Sequence, residues 1–224
     1  MEKKIPYHDL IVFVLGVTLI AVTPFAARLI APLFDWACYG ALRGFFEELF
    51  LAALWLTEIV LIAVFCYKKW GETILANPQA KGKELPVKRI AVISLVTALC
   101  ILVISAQIRF QVKPFYDLGE KFNGYEMLER LGGFLKNIIK CVWIVILIKA
   151  AQHFIEQCFV KADKRIPYAG FLMVMTVGVY DLIVGANTLA LTYLFLYVVY
   201  GWLYLLTDRS MSKTYLLVMF IYLF

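Results

Sequence analysis

Residues 44–67 read GFFEELFLAALWLTEIVLIAVFCY, and the chain turns basic immediately afterwards at Lys68-Lys69. The only charged side chains in this run are Glu47, Glu48 and Glu58, and no proline interrupts it. As a helix it would rise roughly 36 Å at about 1.5 Å per residue, enough to cross a hydrocarbon core of about 30 Å. Apolar residues occupy its whole circumference rather than one stripe, as in a helix surrounded by lipid or protein. The segment therefore predicts a transmembrane helix.

The rest of the chain repeats this pattern. Similar runs fall at about 9–34, 87–112, 133–151, 167–186 and 188–206, which with 44–67 predicts an all-α integral membrane protein with a bundle of about six transmembrane helices. The first carries Pro24 and Pro32, so a kink near Pro24 is expected. Between the third and fourth runs, residues 125–131 have the pattern of an amphipathic turn or two lying at the interface. The end of the chain, 214–224, is apolar but too short to cross alone, so it is expected at the interface, along the bundle or against a partner.

Composition agrees with that architecture. Of 224 residues, 63% are hydrophobic and 17% charged, and the mean hydropathy is +0.82. A soluble domain has about 45–50% apolar and about 25% charged residues. Six spans leave one membrane domain, with no room for a separate soluble catalytic domain. The net charge of +6 is read as orientation and contact with anionic lipid, not as nucleic-acid binding. With six spans, fourteen of the 22 basic residues collect on one side, among them Lys3, Lys4, Lys68, Lys69, Lys88, Arg89, Lys164, Arg165 and Arg209. By the positive-inside rule that side is cytoplasmic, and both termini with it, in a multi-pass protein of the cell membrane.

Function is sought in the polar residues that the spans carry, because each costs about 2.5–3.5 kcal/mol at mid-bilayer. Glu47 and Glu58 are eleven residues apart, about 20° in azimuth at 100° per residue, so they share a helical face, whereas Glu48 points elsewhere. Glu58 falls near the bilayer middle, where a carboxyl needs a cation, a basic side chain or a proton. Lys136 and Lys140 are four apart on the outer half of the fourth span, and Trp143 continues their face. Gln107 and Arg109 close the third span. In the fifth, Gly178, Asp181 and Gly185 fall on one face, where small residues admit a neighbouring helix beside a carboxylate.

If these faces turn inward, Glu47, Glu58, Arg109, Lys136, Lys140 and Asp181 line an outer-leaflet pocket for a small charged or zwitterionic ligand. The cytoplasmic half is expected to be more apolar. The competing reading is structural. Lys136 and Lys140 can snorkel to the interface, Glu47 and Glu48 can reach headgroup water or Arg43, and Arg28 and Arg109 can bind headgroup phosphates.

Catalytic patterns are absent. Phe46-Glu47-Glu48-Leu49-Phe50-Leu51 resembles the paired glutamates of the intramembrane prenyl-protease superfamily, which needs an arginine four residues after the second glutamate and histidines in later spans. Here that residue is Ala52 and the only histidines are His8 and His153, so the resemblance is rejected. His153 and Glu156 form an i, i+3 pair of the sort that acid–base sites use. The cysteines at 38, 66, 100, 141 and 158 have no metal-site spacing and read as packing residues. No cofactor, metal or catalytic residue is assigned.

Three classes remain. The first is a binding or transport subunit. Its six spans resemble in architecture the substrate-binding subunits of energy-coupling-factor vitamin transporters, with Ala27 and Ala31 as a small-residue docking face for a membrane partner. The second is an assembly or regulatory subunit using the tail from Thr214 to Phe224. The third is an enzyme on a lipid or lipid-linked phosphate, with Arg109, Lys136 and Lys140 as clamp and Glu47 or Glu48 as base.

Overall fold

A computed structural model of the chain describes residues 9, 11–16, 41–70, 85–107, 124–159, 162–179, 182–183 and 188–223. Among the described residues the regular elements are all helical. These are α1 (Ala41–Trp70), α2 (Val87–Gln107), α3 (Gly124–Cys158), α4 (Tyr168–Met173), which continues as a π-helical turn at Val174–Gly178, α5 (Thr188–Leu206) and α6 (Met211–Leu223). Three stretches, Arg43–Lys68, Val87–Gln107 and Met127–Cys158, are long and apolar enough to cross a membrane; Tyr168–Gly178, Leu191–Leu206 and Met211–Tyr222 are apolar but shorter. The chain is thus a helical membrane protein.

Burial follows the 3.6-residue period. On α1 the buried side chains are Ala52, Trp55, Glu58, Ile62 and Cys66, while Leu56, Val60, Leu61 and Val64 are exposed. On α2, Ile93, Thr97, Cys100 and Ile104 are buried and Leu95, Leu99 and Leu102 are exposed. Each helix so presents one packed stripe and an apolar outer face, the pattern suited to acyl chains. α3 differs, since Trp143 to Ile148 are all buried without a break. A helix apolar and covered on every side is the axis of its bundle, and α1, α4, α5 and α6 all pack on α3.

Contacts fix the helix directions. Glu48 meets Lys136, Trp55 stacks on Trp143 and Phe65 on Phe154, so α1 and α3 run parallel. Arg89 reaches Asp208 and Gln107 reaches Thr192, so α2 is antiparallel to α5. Gly170 lies against Tyr197 and Val198, and Gly178 against Leu194, so α4 is also antiparallel to α5. Phe13, in the helical segment 11–16, stacks on Phe154 at 4.6 Å between ring centroids and on Phe65 at 6.4 Å. That places the first segment at the end of the bundle where α1 and α3 finish.

Several expectations are refined. Residues 125–131 are not a separate interfacial segment but the first turns of α3, which runs unbroken through Gly132 and Gly133. The reason is packing: a Cβ on Gly132 would lie 3.1 Å from Phe45 Cδ2 and from Glu48 Cβ, so the bare backbone lets α1 come close. The tail is a helix from Met211, and it packs along the bundle with Thr214, Val218 and Ile221 buried. The close approach of α4 and α5 includes Gly170 and Gly201, where an added Cβ would meet backbone at 2.8–2.9 Å, and Gly178, where it would meet Leu194 Cδ2 at 2.5 Å. Ala27, Arg28, Ala31, Arg109, Asp181 and Gly185 lie outside the described residues.

Candidate functional site

The parallel register of α1 and α3 brings together the polar residues of both. Lys136 of α3 pairs with the Glu48 carboxylate, the two side chains being about a quarter exposed (22% and 24%). Glu47 instead accepts a hydrogen bond at 2.9 Å from Nε of Arg43, one turn earlier on its own helix. The eleven-residue spacing predicts Glu47, on the Glu58 face, as the inward residue. Glu48 is the one directed at α3, because it lies four residues before Ala52 on the stripe that continues through Trp55 and Glu58.

One turn further along α3, Lys140 is partly buried and lies against aromatic rings. Its ammonium stands 5.6 Å from the Trp55 ring centre, 5.7 Å from Tyr193 and 5.6 Å from Tyr222. Four helices meet at this point: α3 carries the cation, and α1, α5 and α6 supply one ring each. The rings brace one another, Tyr193 stacking on Tyr222 at 6.4 Å and Trp55 on Trp143 at 6.4 Å. At these centroid distances each ring contributes about 0.5–1 kcal/mol. Three together are comparable with the cost of about 2.5–3.5 kcal/mol of holding a lysine in the membrane. The rings hold the charge without neutralising it.

Two further polar groups lie in the same core. The Nε1–H of Trp143 and the hydroxyl of Tyr200 are buried with no hydrogen-bond partner among the described residues. The phenols of Tyr193 and Tyr222 and the thiols of Cys100 and Cys141 are the electrostatic neighbours of the Tyr200 hydroxyl. Glu58, 6% exposed, sits one turn beyond Trp55 on the same stripe of α1. Of the six residues expected to line a pocket, the structure therefore places Glu58, Lys136 and Lys140 on the packed faces of α1 and α3, directs Glu47 to Arg43, and does not describe Arg109 or Asp181.

No known protein family, curated protein or solved structure matches this chain. Its chemistry rests on the geometry alone. Among the described residues no group of three His, Cys, Asp or Glu side chains is placed to hold a metal ion.

The opposite end of the bundle holds a polar cluster, beyond the run 133–151, whose connections the sequence did not disclose. Gln152, 1% exposed, donates from Nε2 to Glu156 Oε1 at 2.7 Å and to the Ile166 carbonyl at 2.9 Å, and its Oε1 accepts from the Ala169 N–H at 3.1 Å. The Glu156 carboxylate is also gripped by the Arg209 guanidinium. His153 and Glu156 thus have different partners, since His153 Nε2 hydrogen-bonds the Gln157 amide at 2.9 Å. Their i, i+3 spacing does not make an acid–base pair. The only sequence sign of this cluster was a glutamine and a glutamate four apart in an apolar helix. Cys66, Cys100, Cys141 and Cys158 are buried free thiols in the packing role expected of them.

Proposed function

We propose that the chain is a multi-pass subunit of the cell membrane that binds or transports a small charged or zwitterionic ligand in the outer half of its bundle. In this reading α1 to α5, with the segment before them, provide six spans, and the N-terminal segment starts on the cytoplasmic side. α6 runs back from the Arg209 turn to Tyr222 beside Lys140, which turns the end of the chain away from the cytoplasm and corrects the expectation that both termini lie there. Lys68, Lys88, Arg89, Lys164, Arg165 and Arg209 all lie toward the Arg209 end, which the positive-inside rule makes cytoplasmic. The Lys140 end then faces outward.

The observation that carries the reading is the direction of Lys140. A lysine with a purely structural role in this half of the bundle would snorkel, its long stem delivering the ammonium to headgroup water. Here it turns toward three rings at the junction of four helices. A lysine charge gathered by rings of three other helices in a membrane bundle supports a site of binding or passage there. Glu58, on the same stripe of α1 as Trp55, serves the cationic part of the ligand, and Arg109 and Asp181 are assigned to the same pocket.

The lipid-phosphate enzyme finds less support, because Lys136 and Glu48 are engaged with each other and Glu47 with Arg43. Assembly with a membrane partner is the second reading, favoured by the outward apolar face of Leu216 and Phe220 on α6 and by Trp202 on α5, all exposed.

Native mass spectrometry of the protein gently extracted from its own membrane tests the proposal. A discrete small-molecule adduct, lost in Lys140→Gln and Glu58→Gln variants, is the expected result. A stoichiometric protein partner with no adduct would move the assignment to the assembly reading.

A further inference from the structure

The loop leading into α4 is fastened through its backbone. The Ile166 carbonyl accepts from Gln152 Nε2 at 2.9 Å, the Lys164 carbonyl accepts from the Arg209 guanidinium at 3.4 Å, and the Asp163 N–H donates to the Tyr168 hydroxyl at 3.1 Å. The carboxylate of Asp163 turns back to accept the Arg165 N–H at 3.0 Å. The side chains of Lys164 and Arg165 take no part in this bracing. Both residues are exposed, and among the described residues neither has an acidic partner. The carboxylates close to the loop are already engaged, Glu156 by Arg209 and Asp208 by Arg89.

These two cations stand where the polar loop gives way to an apolar surface. A Cβ on Gly201 would lie 3.1 Å from the Pro167 Cβ, so Trp202, 52% exposed, is beside the level of Pro167. Tryptophan favours the headgroup boundary of a bilayer. Past the two cations the exposed side chains are apolar: Ile166 in the loop itself, then Phe171 and Met175 on successive turns, 51% and 71% exposed.

Resting on the multi-pass reading, which makes α4 the start of a span, we propose that Lys164 and Arg165 hold the headgroup of an anionic phospholipid whose acyl chain lies on Ile166, Phe171 and Met175. The charges select the headgroup. An ammonium and a guanidinium only donate, and the guanidinium can take two phosphate oxygens at once, so a headgroup of net negative charge is favoured over zwitterionic phosphocholine. The apolar residues select a lipid over a soluble anion, because an acyl chain covers them while the phosphate meets the cations. The braced backbone contributes by limiting what must be ordered when the headgroup binds.

Native mass spectrometry in detergent, with phosphatidylglycerol and phosphatidylcholine of equal chain length added together, tests the proposal. A single phosphatidylglycerol adduct is expected at concentrations about tenfold lower than the phosphatidylcholine adduct. In Lys164→Gln/Arg165→Gln the two lipids should come within about twofold of each other. The exposed, unengaged side chains leave the unfolding temperature of this variant unchanged. The preference is retained in Lys164→Arg and in Lys88→Gln/Lys213→Gln, which removes the same charge from exposed positions at the same end of the bundle. Glycerol 1-phosphate, a headgroup without chains, does not displace the adduct.

A parent protein without the preference, or a preference that survives Lys164→Gln/Arg165→Gln, would overturn the proposal. An equal loss in Lys88→Gln/Lys213→Gln would also overturn it, by reducing the site to a diffuse surface potential, and displacement by glycerol 1-phosphate would do so by making the occupant a soluble anion. The ligand reading of the outer half stands or falls separately, since Lys140 and Glu58 are unchanged in every variant.

Discussion

The guanidinium of Arg209 grips the carboxylate of Glu156 through two hydrogen bonds of 2.7 Å each, across 53 residues of sequence. This bidentate geometry joins the end of α3 to the turn between α5 and α6, and Gln152 extends it to the loop before α4. The turn is shaped for it: Asp208 and Arg209 have φ of 54° and 63°, a left-handed conformation that non-glycine residues seldom adopt. Thr207 and Thr214 close the turn through a hydroxyl–hydroxyl hydrogen bond of 2.8 Å, and Arg89 brings in α2 by pairing with Asp208. One polar cluster therefore ties five helices, α2 to α6, at the Arg209 end, as the aromatic site ties four at the Lys140 end.

Replacing Arg209 by Ala leaves the Glu156 carboxylate, only 9% exposed at its side chain, without its cation. A loss of about 2–4 kcal/mol is expected, and Arg209→Lys should recover only part of it because an ammonium cannot supply the planar fork. Thermal unfolding of the purified variants in detergent checks both; equal stability of Arg209→Ala and the parent would remove the cluster from the account of stability.

Gly170→Ala should be among the most damaging small substitutions in the chain. Its new Cβ would stand 2.8 Å from the Tyr197 carbonyl oxygen and 2.9 Å from the Val198 Cα, which are backbone atoms that cannot swing aside. A cost of about 1–3 kcal/mol follows from overpacking. Gly178→Ala meets only the flexible end of Leu194 at the shortest distance and is expected to be milder. Gly133→Ala meets nothing within 4 Å and should stabilise α3 by up to about 1 kcal/mol. The order of the three melting temperatures is the measurement.

Exchange of the Glu48 and Lys136 charges should separate pairing from position. Glu48→Lys and Lys136→Glu singly place like charges together on the partly buried α1–α3 face and should each cost roughly 1–3 kcal/mol. The double exchange restores an ion pair and should recover most of that loss, as a double-mutant cycle. Additive losses would show that the two side chains do not interact.

The native thiols offer a check on both packing and sidedness. Cys66, Cys100, Cys141 and Cys158 are buried and should resist a membrane-impermeant maleimide in the folded protein, reacting only after denaturation. In a variant lacking native cysteines, Lys164→Cys, at an exposed position, should label from the cytoplasmic side and Met127→Cys from the outside. The reverse pattern would invert the proposed orientation.

The positions of the long helices were legible in the sequence because a membrane demands them. Backbone groups in lipid must bond within their own segment, so an apolar run of sufficient length reads directly as a helix. The predicted runs 44–67 and 87–112 contain or overlap α1 and α2, and 133–151 falls inside α3. The start of α3 at Gly124 was not legible, since its amphipathic first turns look interfacial until Gly132 is seen against Phe45 and Glu48. The site was legible only in part. Lys140 stood out as a charge in an apolar run, but its partners could not be read, because Trp55, Tyr193 and Tyr222 resemble ordinary packing or interfacial aromatics in isolation.

Hydrophobicity, which acts on each segment separately, was enough for the sequence by itself to determine a helical membrane protein and the stretches able to cross. Rotation of each helix about its axis is decided otherwise, by ridges, glycine contacts and polar pairs supplied by distant segments. Only the tertiary structure therefore decided that Glu48 rather than Glu47 meets Lys136, that Arg209 closes on Glu156, and that the ammonium of Lys140 lies against three rings from three other helices.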